Sequence, residues 1–262
     1  MRPMHSLSLF LATILGVGSA SASLAQVRTT SSKGFGGDRS GLEMVRVSGG
    51  SFVMGGTDSV DDGGPPGDSD ECPHLVTVDD FQIGKYEVTQ DDWAKILGDH
   101  PSFFTGCGNC PVEQVSWDDV QVFIRKLNRR TGKHYRLPSE EEWEFAARGS
   151  LKSSNFRYAG SNHAADVAWH TVNSGGKPHA VGTLKPNELG LFDMSGNVSE
   201  WCEQFKEPYP CDKTGRHFDS RIVRGGMFAN HESSVRVRDR NGRPSSIRIN
   251  TIGLRLATSI NR

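Results

Sequence analysis

The second half of the chain constrains the fold most, because no long helical period occurs from residue 150 onward. Glycine and proline recur throughout the sequence, with 30 Gly and 12 Pro in 262 residues. These residues interrupt regular elements and mark turns. The second half is therefore predicted to consist of irregular loops, glycine turns and short strands, with a last strand at residues 252–258.

Helix-start signals precede this region. Thr89 and Ser139 each stand directly before a predicted helix, and Ser116 with Asp119 three residues later resembles a capping box. The predicted helices are residues 90–97, 117–131 and 140–148. Glutamates 140–142 fill the first turn of the third helix, where the helix dipole favours negative charge, and a catalytic carboxylate cluster is the alternative. Helices early and irregular β-structure late, with no repeat or second-domain boundary, indicate one α+β domain.

Alternating apolar and polar residues predict strands in the first part of the chain. Residues 44–48 and 51–55 alternate in this way and are joined by Gly49 and Gly50, which predicts a β-hairpin. Residues 74–78 and 81–88 predict two further strands. The acidic stretch between the two pairs is rich in Gly and Pro, which predicts a loop.

The N-terminus resembles a targeting segment. A short basic lead precedes an apolar run at residues 7–17, and Ser23 and Ala25 occupy the small-residue positions of a cleavage site. The run is shorter than the roughly 20 apolar residues that a spanning helix needs, although a retained anchor is the alternative. The expected organisation is a signal peptide at residues 1–25, a flexible lead-in at residues 26–41 and one domain at residues 42–262. We therefore expect a periplasmic or secreted protein with no membrane span after cleavage.

The charges of the chain nearly cancel, with 30 Lys and Arg against 31 Asp and Glu. No overall field attracts nucleic acid or a membrane surface. We expect neither as a partner.

Five cysteines in an exported chain are candidates for disulfides. The preferred pairings are Cys107 with Cys110, which are close in sequence, and Cys202 with Cys211, which bracket a short loop. Cys72 is then left over. Sequence alone does not fix the connectivity. A redox-active C-x-x-C motif is the alternative for Cys107 and Cys110, but such a motif opens a helix in oxidoreductases, whereas here an extended segment follows.

Several motifs occur in an order that resembles one protein family. The most specific are the block from Gly190 to Trp201 and the C-terminal segment that begins Arg224-Gly225-Gly226 and ends Ile252-Gly253-Leu254-Arg255-Leu256-Ala257. The others are residues 44–55, 86–89, 111–117, 136–148 and 181–182. Together they are similar to the formylglycine-generating enzyme (sulfatase-modifying factor) family over nearly the whole expected mature chain. The resemblance implies that family's α+β fold, which is related to C-type lectin domains and rich in irregular loops.

The resemblance also implies a structural calcium site. In the family, the block that matches residues 190–201 binds calcium, which suggests Asp193 and Glu200 as side-chain ligands and Gly196 and Val198 as carbonyl donors. Calcium prefers several hard oxygen ligands, and a glycine-containing turn between two carboxylates can supply them. The alternative is that Asp193 and Glu200 are ordinary turn residues.

The positions of the family's copper ligands differ in this chain. The enzymes bind copper with two cysteines after the Arg-Gly-Gly motif and use them to oxidise a substrate cysteine. The matching residues here are Asn230 and Val235. Copper(I) needs soft thiolate ligands, so we expect no copper. Asn230, the neighbouring His231 and Arg224 are candidates for a pocket in that position.

The C-terminal segment is also rich in arginine. Its arginines are predicted to form internal ion pairs or to bind a carboxylate or phosphate ligand. They are Arg236, Arg238, Arg240, Arg243, Arg248 and Arg255.

Two functions follow as hypotheses. The first is an exported modification or accessory factor of unknown substrate in the cell envelope, without copper-dependent formylglycine activity. In its export signal and its loss of the cysteine pair the chain looks like the periplasmic oxidoreductase that matures the pyoverdine chromophore. The second is a non-catalytic, calcium-stabilised module that binds a small molecule or a protein. We expect a monomer in either case, and the sequence identifies no catalytic base.

Overall fold

The main helices lie in the first half of the chain, as predicted. In this computed structural model the described residues are 41–56, 71–210 and 219–260. The helices are α1 (Gln90–Leu97), α2 (Trp117–Thr131), α3 (Glu140–Ala147) and the single turn α4 (Ala164–Val167). The signal peptide predicted at residues 1–25 and the lead-in up to residue 40 lie outside the described residues.

Each of the first three helices begins at the predicted cap. The side chains of Thr89, Ser116 and Ser139 each accept a hydrogen bond from the backbone N–H three residues later. At Ser116 and Ser139 the third helical residue returns the bond to the cap, which completes a capping box. These local signals explain why the helix prediction is confirmed.

The strands form two four-stranded sheets and two small pairs. One sheet has the order β1-β4-β12-β5 and the other β10-β9-β8-β11, while β2 pairs with β3 and β6 with β7. The strands are β1 (Met44–Val47), β2 (Gly50–Met54), β3 (His74–Val78), β4 (Phe81–Gly84), β5 (Tyr135–Arg136), β6 (Ala168–Trp169), β7 (Ser195–Gly196), β8 (Ser199–Phe205), β9 (Arg221–Arg224), β10 (Arg240–Arg243), β11 (Ile252–Leu254) and β12 (Ala257–Ser259). The α+β class is therefore confirmed.

The hairpin predicted around Gly49 is wrong, because β1 and β2 do not pair with each other. β1 pairs with β4 and β2 with β3, both antiparallel. A Cβ atom on Gly49 would lie 2.4 Å from the carbonyl oxygen of Val78, and the Gly49 N–H donates to Asp80 at 2.9 Å. Two chain segments therefore cross here in close contact, and the glycine allows the chain to change sheets.

The strand predicted at residues 252–258 is divided in two. β11 runs parallel to β8 in one sheet, and β12 runs antiparallel to β4 in the other. The division falls at Arg255, whose side chain is fully buried. The C-terminal segment thus connects the two sheets.

The apolar core follows this arrangement. One cluster packs α1 and α2 against β11 and the centre of β8, with Trp93 and Phe123 stacked at 4.9 Å between ring centroids. A second cluster packs α3 against β4, β8 and β9. No helix of the described residues is long and apolar enough to cross a membrane.

The structure confirms one of the cysteine predictions and contradicts the other two. Cys107 and Cys110 are joined by a disulfide, as predicted. The pairing of Cys202 with Cys211 is wrong, because Cys202 is a free thiol buried on β8, and Cys211 lies outside the described residues. Cys72 is disulfide-bonded and so is not left over. The sequence suggested a loop from Cys202 onward, but the strand continues to Phe205 and holds Cys202 in the core.

Candidate functional site

The segment that follows β9 contains Asn230 and Val235, which the sequence resemblance matches to the family's copper ligands. Gly226 has φ +71°, and a Cβ atom there would lie 2.2 Å from the carbonyl oxygen of Ser234. The chain therefore folds back on itself through Gly226, and only glycine fits. The returning part contains the short 3₁₀ helix Glu232–Ser234.

Two of the three predicted pocket residues lie in this turn. The Asn230 side-chain oxygen accepts from the Met227 N–H at 2.9 Å, and the Asn230 carbonyl accepts from the Thr171 N–H at 2.9 Å. His231 is exposed and caps the 3₁₀ helix, with its Nδ1 atom 3.3 Å from the Ser233 nitrogen. Asn230 and His231 thus lie together at the surface, and both side chains stabilise the turn.

Arg224 is not a pocket residue. It is 1% exposed and forms an ion pair with Glu144 of α3, which is also completely buried. Its guanidinium also donates to the carbonyl oxygens of Val237, Arg238 and Asp239. Arg224 therefore holds the C-terminal segment on α3, in the core. The two positive charges around Glu144 lower its pKa in spite of burial, which acts in the opposite direction.

Val235, the second residue that the resemblance matches to a copper ligand, is buried. It is 0% exposed and packs with Tyr158, Ala164, Val167 and Ala168. An aliphatic side chain in this cluster offers no electron pair to a metal. Asn230 therefore offers one amide whose oxygen already accepts a hydrogen bond in a turn, and Val235 offers one buried isopropyl group.

The predicted calcium ligands are brought near one another, but Glu200 does not fit a calcium site. The Glu200 carboxylate pairs with Arg255 at 2.7 Å and accepts from the Trp143 ring nitrogen at 2.6 Å. A carboxylate that is already neutralised by a buried guanidinium has little to gain from a second cation. We derive no role for calcium through Glu200.

Asp193 differs from Glu200 in one respect. One of its oxygens accepts from the Gly182 N–H at 2.7 Å, and the other oxygen, Oδ1, is buried and has no hydrogen-bond partner among the described residues. Burial raises the pKa of Asp193 to about 6, although the Gly182 bond and Arg255 oppose the shift. Among the described residues no group of three or more His, Cys, Asp or Glu side chains could hold a metal ion. Calcium binding through Asp193 stays a prediction.

Backbone groups of the predicted calcium block have protein partners. The Gly196 N–H donates to the Gly225 carbonyl at 2.8 Å, and the Val198 N–H donates to the Glu87 carboxylate at 3.1 Å. Glu87 is 2% exposed and also accepts from the Asn197 amide at 2.6 Å. Burial, with the nearby Asp193 and Glu200 charges, raises the pKa of Glu87 well above its usual range. Sequence reasoning did not find this role of Glu87, although the residue lies in a motif that carries the family resemblance.

The three glutamates at the start of α3 do not form a catalytic cluster. Glu140 pairs with Arg240 at 2.8 Å and Glu142 with Arg136 at 2.6 Å. Glu141 accepts from the Gln204 amide at 2.7 Å. Each carboxylate has a separate partner and helps to hold a different segment on the helix.

Most arginines of the C-terminal segment make internal ion pairs. Their partners lie in distant parts of the chain or within the same turn. Pairs within the described residues are Arg224 with Glu144, Arg236 with Asp239, Arg238 with Glu71, Arg240 with Glu140, Arg248 with Asp119 and Arg255 with Glu200. The irregular backbone is thus held by charge pairs as well as by apolar packing.

Sequence comparison shows similarity to proteins that are described as having different functions. It is 36% identical over 216 residues to the chaperone protein LppX of Paenibacillus barcinonensis, covering 62% of this chain and 74% of that protein. It is 30% identical over 171 residues to the formylglycine-generating enzyme of Streptomyces coelicolor, covering 54% of this chain and 51% of the enzyme. It is also 30% identical over 175 residues to the inactive C-alpha-formylglycine-generating enzyme 2 of Mus musculus, covering 58% of this chain and 50% of that protein. The chain thus spans about half the length of the latter two.

Solved structures share the fold over most of the chain. PvdO from Pseudomonas aeruginosa matches with a TM-score of 0.72 and 26% identity, over 85% of this chain and 96% of that one. Treponema denticola variable protein 1 matches with a TM-score of 0.71 and 28% identity, over 83% of this chain and 95% of that one. The family model described as the sulfatase-modifying factor enzyme 1-like domain matches residues 35–260. The chain belongs to this sulfatase-modifying factor family and has its formylglycine-generating-enzyme-like fold.

Proposed function

We propose that this protein is an exported accessory factor that acts on another protein of the cell envelope without copper-dependent formylglycine chemistry. The observation that carries the proposal is the state of Asn230 and Val235. The Asn230 side chain closes a turn, and Val235 is fully buried among apolar residues. Copper(I) bound by two thiolates has no ligands in this arrangement.

The relatives support an accessory role. One of them is described as a chaperone, and the match covers 74% of its length. Another is described as an inactive formylglycine-generating enzyme. Members of this family can therefore keep the fold without the reaction that gives the family its name. The apolar lead at residues 7–17 supports export into the periplasm or the medium.

A second candidate is an oxidoreductase of the pyoverdine-maturation type. It is favoured by the match to PvdO over 85% of this chain at a TM-score of 0.72. Such an enzyme would modify its substrate covalently, whereas an accessory factor would change the folding or abundance of its client. The two candidates therefore predict different products in the cell.

The first test asks whether formylglycine chemistry occurs. The purified mature protein is incubated with copper(I), oxygen and a cysteine peptide, with a formylglycine-generating enzyme as positive control. We expect no aldehyde by mass spectrometry and no stoichiometric copper by elemental analysis. Formation of the aldehyde would contradict the proposal.

The second test separates the two candidates. Envelope and secreted proteins of a strain that lacks the gene are compared with those of the complemented strain. Lower abundance or solubility of one client, with its covalent structure unchanged, supports an accessory factor. A modification that disappears with the gene supports the oxidoreductase. If neither abundance nor modification changes, both candidates are wrong.

A further inference from the structure

A cavity of about 280 Å³ lies between the end of β2, the loop at residues 155–162 and the segment before β10. Its volume is close to the lower limit for pockets that take small organic ligands, roughly 300 Å³. Arginine dominates its lining. The charged lining residues are Arg148, Arg157, Arg236 and Arg238.

Three of these arginines are fixed by contacts within the protein. Arg148 pairs with Glu144 at 2.7 Å and donates to the Gly55 carbonyl at 2.7 Å. Arg236 pairs with Asp239, and Arg238 lies 3.1 Å from the Glu71 carboxylate. The side chains of Arg236 and Arg238 are only 4% and 8% exposed. The guanidinium groups thus form rigid walls rather than a mobile surface charge.

Gly56 leaves space for the Arg238 side chain, which forms one wall of the cavity. A Cβ atom at this position would lie 2.5 Å from the Nη1 atom of Arg238. Any larger residue would push the guanidinium away. The shape of the cavity therefore depends on this glycine.

Arg157 is the exception among the four. Its side chain makes no hydrogen bond or ion pair with any described residue, and its Nε atom is buried without a partner. Its contact is with the Tyr158 ring, 5.8 Å from the guanidinium carbon to the centroid. Its backbone is fixed, since its N–H donates to Asn162 at 3.0 Å and its carbonyl accepts from Val237 at 3.1 Å. A buried guanidinium N–H without an acceptor is costly, and a ligand oxygen would remove that cost.

Within the described part of the chain, the arginines of the cavity contact three carboxylates. The carboxylates in contact with its arginines are Glu71, Asp239 and Glu144, and Glu144 is shared with the buried Arg224. Burial and the neighbouring Asp239 raise the pKa of Glu71 to about 8, so this carboxyl contributes little negative charge at neutral pH.

We infer that this cavity binds a small molecule with an oxyanionic group, a carboxylate or a phosphate, and that Arg157 is the residue that pairs with it. The planar fork of arginine matches both groups through two parallel hydrogen bonds. Asn155 and Phe156 also line the cavity. They add an amide and an apolar wall to the charged site. This inference does not depend on the proposed function, which rests on Asn230 and Val235 and not on the residues that line the cavity.

The test is isothermal titration calorimetry on the mature protein at low salt, with succinate and inorganic phosphate as probes and neutral succinamide as control. We expect at least one anion to bind and succinamide not to bind. Binding of succinate alone points to a carboxylate ligand, and binding of phosphate alone to a phosphorylated one. If neither anion binds the parent protein, the inference is wrong.

Two variants locate the site. Arg157→Gln should weaken anion binding at least tenfold, because the replacement removes the charge and the fork. Arg46→Gln, which changes an exposed arginine paired with Asp80 on another face, should bind like the parent. Equal binding by Arg157→Gln, or equal loss in both variants, overturns the inference. If Arg157→Gln does not fold, the parent protein is titrated with the anion and followed by ¹⁵N NMR. The Arg157 Nε–H signal should then shift as the anion binds, and an unchanged signal overturns the inference.

Discussion

Cys202 carries a free thiol on β8 that solvent does not reach. Burial raises the pKa of this thiol well above its usual range, and the nearby charge of Glu140 adds to the shift. The thiolate is the reactive form of cysteine. Cys202 is therefore inert as long as the protein is folded.

Alkylation without reductant tests this state. Iodoacetamide should leave Cys202 unmodified in the native protein and should modify it after unfolding in guanidinium chloride, as measured by peptide mass spectrometry. The disulfides serve as internal controls, since Cys107 and Cys110 should stay unmodified in both samples. An unmodified Cys202 in the unfolded protein would show that it is disulfide-bonded after all.

Glu71 gives a second prediction at the scale of single residues. The groups that face it are Arg236, Arg238 and Asp239, and burial is the main reason that its pKa rises to about 8. Between about pH 4.5 and pH 8 the folded protein keeps this proton, whereas the unfolded chain releases it. The contribution of Glu71 to stability is therefore complete below pH 4.5 and falls as the pH rises towards 8.

The variant Glu71→Gln should remove this loss of stability with rising pH. Its free energy of unfolding, measured in urea, should fall less than that of the parent between pH 5 and pH 7.5. Glu203→Gln, which changes an exposed glutamate, should keep the pH dependence of the parent. A Glu71→Gln profile parallel to that of the parent would contradict the raised pKa.

At the scale of elements, α2 depends on its cap. The Ser116 hydroxyl accepts from the Asp119 N–H at 3.1 Å, and the Asp119 carboxylate accepts from the Ser116 N–H at 3.0 Å. Ser116→Ala should lower the free energy of unfolding by about 1 kcal/mol. Ser154→Ala, in an exposed loop position, should have little effect in the same denaturation experiment. Equal stability of both variants would show that the cap contributes nothing.

The elements that the sequence predicts well are those with local signals. α1, α2 and α3 begin at Thr89, Ser116 and Ser139, because a cap needs only residues within one turn. The hairpin at Gly49 was wrong because strand pairing depends on partners far along the chain. The same alternating pattern fits pairing with either neighbour, and the structure chooses β4 for β1 and β3 for β2.

At the scale of the whole molecule, the pair formed by Glu200 and Arg255 connects the two sheets. Glu200 lies in β8, whereas Arg255 lies between β11 and β12 and also donates to the Gly84 carbonyl of β4 at 2.9 Å. Both side chains are 0% exposed. Removal of one partner leaves a buried charge without compensation, which costs about 3–5 kcal/mol.

Glu200→Gln should therefore lower stability by an amount of this order, and equally in calcium and in chelator. Thermal unfolding of the parent, of Glu200→Gln and of the exposed control Glu203→Gln measures the effect. If calcium raises the melting temperature of the parent and the control but not of Glu200→Gln, Glu200 is a calcium ligand and our assignment is wrong. If calcium stabilises all three proteins, Asp193 with its unpaired oxygen is the next residue to change.

The sequence by itself determined the features that depend on interactions between near neighbours in the chain and on residue identity. These are the α+β class, the helix starts and the absence of thiols at Asn230 and Val235. The tertiary structure alone decided which charges meet. Arg224 pairs with Glu144, which is 80 residues away in the sequence, and Arg255 pairs with Glu200, which is 55 residues away. Any buried carboxylate can neutralise an arginine, so composition does not specify the pair. Within the described residues, packing places the Arg157 side chain beside three fixed arginines without a hydrogen-bond acceptor of its own. This arrangement brings into one cavity residues that are far apart in the sequence.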